Sequence, residues 1–244
     1  MLTKTDTFRF ADDVPSWLFK NYQLFLVPGL VYPVAVQYLQ GCFQYDLKIP
    51  LFMWNCLLSL YSGVSLYVIT PPFVGRIQKY GYHESVCLAN HKDESYLYQP
   101  WGWWIYLFIL SKIVELGDTA FLILRGRKVN FLHWYHHLAT LTAGYVQSYL
   151  LMETMEWATW MNLLVHTWMY GHYALSTYYK KLRGNMVLTS LQILQMVHGL
   201  FMCVYHSMYC NSIKDVPSIA VYTIYAALFL SFFKNKYFTK IKNS

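Results

Sequence analysis

The chain has 244 residues, 56% of them hydrophobic and only 13% charged, about half the charged share of an ordinary soluble domain. Aromatic residues make up 19% of it, with 23 Tyr, 15 Phe and 9 Trp, which suits a polytopic membrane protein whose polar-ended rings sit at interfaces and around an internal cavity. The net charge of +7 does not point to nucleic acid, because the basic residues fall in short clusters between apolar runs. They also suit a phosphate-bearing small substrate such as a coenzyme A ester. A separate soluble domain is excluded, since no gap between apolar runs shows a core of its own.

In chain order, the first twenty residues are polar and mixed in charge, with no signal-peptide core. Seven apolar stretches follow at about 24–45, 49–70, 101–124, 131–151, 157–179, 186–209 and 216–235, each near the ~20 residues that cross the hydrocarbon. Span one is interrupted by Pro28, Gly29 and Pro33 and diluted by Gln37, Gln40 and Gln44; Pro71-Pro72 is expected to stop span two. Arg125, Arg127 and Lys128 lie between spans three and four, Lys180, Lys181 and Arg183 between five and six, and Lys234, Lys236, Lys240 and Lys242 after seven. The alternate loops hold Glu153 and Glu156, or Lys214 alone. The positive-inside rule therefore puts the N-terminus on the lumenal or outer side and the C-terminus in the cytosol. Lys240 and Lys242, fifth and third from the end, match a dilysine retrieval signal for the endoplasmic reticulum.

Within the spans, polar groups cluster. Lys112, Glu115 and Asp118 recur every three residues, on one face near the cytosolic end of span three; a structural ion network and a catalytic one are both consistent with that spacing. His133, His136 and His137 form a histidine box within the first ~10 Å of span four, in an arc of roughly 100°. Asn162, His166, Tyr170 and Tyr173 make one stripe on span five, and Thr189, Gln192, Gln195 and His198 recur at steps of three on span six. Ionisable groups inside a span carry function by default, and the topology lets these stripes meet in one chamber open to the cytosol.

Two chemistries fit a membrane histidine box. Di-iron oxidation needs several boxes converging on metal, whereas this chain has nine histidines and one box, with His83 and His91 on the lumenal side. Acyl transfer needs only an imidazole as nucleophile or base and a hydrogen-bond donor such as Asn162 for the developing oxyanion. A seven-span receptor or transporter would use the same polar groups for ligand or proton traffic. The five cysteines show no metal-ligand spacing.

The motifs Lys112-x-x-Glu115-Leu116-x-Asp118-Thr119, His133-x-x-His136-His137, Asn162-x-x-x-His166-x-x-Met169-Tyr170-x-x-Tyr173 and Thr189-x-x-Gln192-x-x-Gln195 resemble, in order and spacing, those of the ELO fatty-acid elongases. Tyr225-x-x-Leu228-Phe229 resembles a further one, while His172 and Ser231 stand where the family usually has tyrosine and asparagine. The resemblance implies an all-α integral membrane protein of about seven helices, one domain, with spans two to seven around a narrow acyl tunnel. It implies condensation of a long-chain acyl-CoA with malonyl-CoA, with no cofactor beyond these thioesters. A reductase pair and a dehydratase of the elongation cycle would be partners. It assigns His136 as acyl acceptor and His166 to the same reaction centre, with His133 and His137 orienting. Asn162, Gln192 and Gln195 would hold substrate oxygens, Lys112, Glu115 and Asp118 would support the chamber, and Tyr170, Tyr173 and Thr189 would line it. Lys180, Lys181, Arg183, Lys234 and Lys236 would meet CoA phosphates. Trp134-Tyr135 resembles the subgroup that acts on saturated and monounsaturated chains. Cys87 and Cys210 lie in or beside loops expected in the lumen, an oxidising compartment, and are expected to form a disulfide.

Overall fold

A computed structural model describes residues 8–88, 92–179, 182, 186–210 and 212–238, and among these no strand occurs. The helices are α1 (Phe10–Lys20), α2 (Gln23–Leu39), α3 (Lys48–Cys87), α4 (Gly102–Val114), α5 (Gly117–Leu124), α6 (Phe131–Tyr149), α7 (Met155–Tyr178), α8 (Met186–Tyr209) and α9 (Val216–Phe233). A 3-10 turn spans Lys92–Glu94, and a π-helical turn, Lys234–Phe238, continues α9. The chain divides into two compact units, residues 1–47 with 67–159 and residues 48–66 with 160–244.

Among the described residues three helices, α3, α8 and α9 with its π extension, are long and apolar enough to cross a membrane; the pair α1–α2, bent by 56°, makes a fourth if it counts as one span. Their outward faces carry large exposed hydrophobics such as Leu60, Val187, Leu194 and Met208, which water would not tolerate in such number but lipid does. The protein is a multipass helical membrane protein.

The polar N-terminal stretch is partly helix: Phe10, Val14 and Leu18 recur every four residues and are buried, with Asp12 and Asp13 at the positive end and Lys20 at the negative end. Two sequence expectations about the spans need correction. Pro71-Pro72 does not stop span two, because proline's φ fits a helix and it loses hydrogen bonds rather than allowed dihedrals. The non-helical break within α3 comes at Gly81, with φ at 82°. Span three is not one helix either, because Glu115 and Leu116 form a turn between α4 and α5.

In the first unit, α1 packs on α4 and α6, and α2 packs on α6. The segment leading into α4 is plugged inward by Tyr96, which is fully buried, edge-on to Phe10 at 4.9 Å, with its hydroxyl donating to the Met152 carbonyl at 2.7 Å. Burial raises the Tyr96 phenol's pKa well above its ordinary value. Gly102 permits this plug, since a Cβ there would lie 2.1 Å from the Tyr96 carbonyl oxygen. Glu156, read from sequence as a loop acid, is instead buried in an ion pair with Arg76.

In the second unit, α8 and α9 pack along each other. Gly199 leaves room for the Tyr222 ring, and buried His206 pairs with buried Asp215 at the connection between the two helices. The first part of α3 lies on α7 through Ser59, whose hydroxyl donates to the Thr167 carbonyl at 2.9 Å.

Candidate active site

The histidine box owes its position to how the chain leaves α5 and enters α6. Gly126, with φ at 65°, ends α5 in the left-handed conformation. Its N–H donates to the Ile123 carbonyl at 2.9 Å, and the Arg127 N–H to the Leu122 carbonyl at 2.8 Å. This is a Schellman stop, which favours glycine. Four residues later Asn130, in extended backbone, caps α6 by accepting the His133 N–H at 2.8 Å. His133, His136 and His137 therefore occupy the first two turns of α6, as their spacing implied.

The polar shell around the box comes from α2 and α5. The His133 Nε2 lies 2.9 Å from the Thr119 Oγ1, and that oxygen lies 2.8 Å from the Tyr32 hydroxyl on α2. His133 and His137 rings approach to 4.5 Å between centroids, and His136 and His137 to 5.7 Å. The His137 Nε2 faces the Asp118 carboxylate at 3.9 Å. The Lys112 ammonium donates to both Glu115 oxygens, at 2.7 and 3.0 Å, and lies over the Phe108 ring at 4.2 Å; Ser111 donates to the same carboxylate at 3.1 Å. So Lys112 and Glu115 pair in the interior, and the Asp118 carboxylate faces His137.

In the second unit Asn162, His166 and Tyr170 are buried, and the His166 and Tyr170 rings meet edge-on at 5.2 Å. Tyr173, expected on the same stripe, is 42% exposed, so the buried stripe ends at Tyr170. Thr189 and Gln195 are buried on α8. The Thr189 Oγ1 lies 3.3 Å from the Tyr237 hydroxyl, and the Gln192 amide contacts the Met169 sulfur at 3.4 Å. Lys234 is exposed, and the Lys236 ammonium lies over the Phe232 and Tyr237 rings. Lys180, Lys181 and Arg183 lie outside the described residues, as do Lys240 and Lys242. Cys42, Cys56 and Cys203 are free thiols. Among the described residues no group of three or more His, Cys, Asp or Glu is arranged to hold a metal ion.

Sequence reasoning missed Tyr32, Gln40 and Tyr237. Tyr32 had a signal: a phenol in the middle of an apolar span needs a hydrogen-bond partner.

The pattern of the GNS1/SUR4 family (ELO) matches residues 17–244. The chain is 31% identical over 242 residues to very long chain fatty acid elongase 6 of Drosophila melanogaster, covering 91% of this chain and 74% of that one. It is 34% identical to long chain fatty acid elongase 1 of Caenorhabditis elegans, covering 79% and 69%, and 32% identical to very long chain fatty acid elongase 3 of Mus musculus, covering 89% and 82%. With its box at the head of α6 and a family match from α1 to the C-terminus, the chain belongs to the GNS1/SUR4 (ELO) family.

Proposed function

We propose that the protein is a fatty-acid elongase that condenses a long-chain acyl-CoA with malonyl-CoA, giving a 3-oxoacyl-CoA two carbons longer, carbon dioxide and CoA. The observation that carries this reading is a histidine box oriented by its own buried polar shell in a chain of this family. An imidazole nitrogen of His136 attacks the thioester carbonyl, and the CoA thiolate leaves with a proton. Malonyl-CoA then loses carbon dioxide, its carbanion attacks the acyl-imidazole carbonyl, and the imidazole is released. His133 and His137 orient His136, and His166 serves the same reaction. Asn162, Gln192 and Gln195 donate to thioester or malonyl oxygens. Tyr170, Tyr173 and Thr189 contact substrate. Lys112, Glu115 and Asp118 support the site, a role favoured by the buried Lys112–Glu115 pair. Lys234 and Lys236, with Lys180, Lys181 and Arg183, are the cations for CoA phosphates.

In this reading the chain works as one membrane domain, with α4–α5, α6 and α7 added to the clear spans to give seven. The 19 residues of α6 measure about 28 Å and the 24 of α7 about 36 Å, enough to cross. The acyl tail occupies a tunnel among spans two to seven, the N-terminus is lumenal, the C-terminus is cytosolic and the membrane is that of the endoplasmic reticulum. The ketoreductase, dehydratase and enoyl reductase of the cycle act on the product in turn. Cys87 and Cys210 form a lumenal disulfide, a pairing supported by the free state of the other three cysteines. Equal mobility of their peptides with and without reduction would remove it.

The test is turnover of radiolabelled malonyl-CoA by the purified protein across saturated acyl-CoAs of increasing length. The Trp134-Tyr135 pair favours saturated and monounsaturated chains. Folded protein that extends none of them would overturn the reading.

A further inference from the structure

Helix α2 and the segment that follows it are fastened at three points to α5 and the segment leading into α6. The Tyr32 hydroxyl meets Thr119, the Gln40 Oε1 accepts the Val129 N–H at 2.9 Å, and the Tyr45 N–H donates to the Leu124 carbonyl at 2.9 Å. Tyr32 and Val36 are buried with Ile123 and Val129 in one apolar cluster, against which Trp134 of the box packs. Tyr32 and Thr119 are 7% and 2% exposed, so no bulk water competes for their hydroxyls. Packing alone would be served by phenylalanine at position 32. The phenol serves a hydrogen bond.

The direction of that bond follows from chemistry. A hydroxyl has one hydrogen to give. A phenol is a stronger donor and a weaker acceptor than an alkyl alcohol, so Tyr32 donates to the Thr119 Oγ1. The single Thr119 hydrogen is then turned toward the His133 Nε2, 2.9 Å away. A nitrogen that accepts cannot carry a proton, and the partner of one ring nitrogen fixes the tautomer at the other. We infer that Tyr32 is a positioning residue which, through Thr119, holds His133 as its neutral Nδ1–H tautomer with the Nε2 committed as an acceptor.

This inference rests on the reading of the box as the reaction centre and adds a division of labour within it. His133 is anchored by a neutral donor chain, while His137, 4.5 Å away between ring centroids, faces the Asp118 carboxylate. One imidazole is fixed in a single protonation state, and its tilted neighbour is left to a charged partner. Proton transfer in the box then passes through His136 and His137, not through the Nε2 of His133. It also gives the first membrane helix a part in the reaction, although the expected tunnel is formed by spans two to seven.

The experiment uses full-length protein with nitrogen-labelled histidine, in detergent, the His133 signals being assigned with His133→Gln. Side-chain proton–nitrogen correlations report the tautomer directly. Wild type should show His133 only as Nδ1–H. Tyr32→Phe and Thr119→Val should give a mixture, and Thr119→Ser, which keeps the hydroxyl, should restore the single form. Turnover of Tyr32→Phe should fall about tenfold in kcat with KM unchanged, the size of one lost orienting hydrogen bond. An Nε2–H tautomer in wild type, a tautomer unchanged by Tyr32→Phe, no rescue by Thr119→Ser, or a rise in KM alone would each overturn the inference. Full turnover by His136→Ala would overturn the functional reading of the box separately, since the His133 tautomer is read without substrate.

Discussion

The pair formed by Arg76 and Glu156 gives the most quantitative test of the packing. Both side chains are at most 1% exposed, one guanidinium nitrogen meets one carboxylate oxygen, and the Arg76 Nε, Arg76 Nη1 and Glu156 Oε1 make no hydrogen bond among the described residues. Each such atom costs about 1–3 kcal/mol, so the attraction between the charges works against a penalty of several kcal/mol. Removing one partner strands the other charge. Glu156→Leu or Arg76→Met alone should cost about 3–5 kcal/mol, or roughly 6–20 °C in Tm for a chain of this size. The double variant Arg76→Met with Glu156→Leu removes both charges and all three unsatisfied atoms. It should match wild type or exceed it by up to about 4 kcal/mol. The assay is thermal unfolding in detergent, completed as a double-mutant cycle. Singles that lower Tm by additive amounts, with a double as unstable as their sum, would refute the reasoning.

Three further substitutions probe the entry to the histidine box and the plug before α4. Asn130→Ala should cost about 1 kcal/mol through the lost cap, while Asn130→Asp should lie within half of that; melting of the two side by side decides it. Gly126→Ala should cost at least about 1–2 kcal/mol, since a Cβ there sits at positive φ and 2.8 Å from the Phe43 carbonyl oxygen; it should reduce turnover only as far as it reduces folded protein. Tyr96→Phe should cost about 1 kcal/mol by removing one of the two donors to the Met152 carbonyl, which keeps the Met155 N–H, and an unchanged Tm would contradict the plug.

Much of the scaffold was legible in the letters. The span read at 186–209 coincides with α8, and α6 starts at Phe131 as expected, because long apolar runs bounded by loop residues leave little freedom. The box, the Asn162–His166–Tyr170 face and the polar positions of α8 were legible as stripes. Partnerships were not. Periodicity says which groups share a face, but not that Asp118 would face His137, nor that Glu156 would find Arg76 from eighty residues away. Tyr32 shows the same limit, because its hydroxyl matters only once α2 is laid against α5 and α6. The helix through Pro71-Pro72 was misread because proline weakens a helix without forbidding its dihedrals.

The central claim is that the box forms the bond. The direct measurement is intact mass and peptide mapping of purified protein after incubation with a long-chain acyl-CoA and no malonyl-CoA. The account predicts one acyl adduct on the peptide carrying His136, absent in His136→Ala and discharged as 3-oxoacyl-CoA when malonyl-CoA is added. Wild-type turnover by His136→Ala, with no adduct on any histidine, would contradict it.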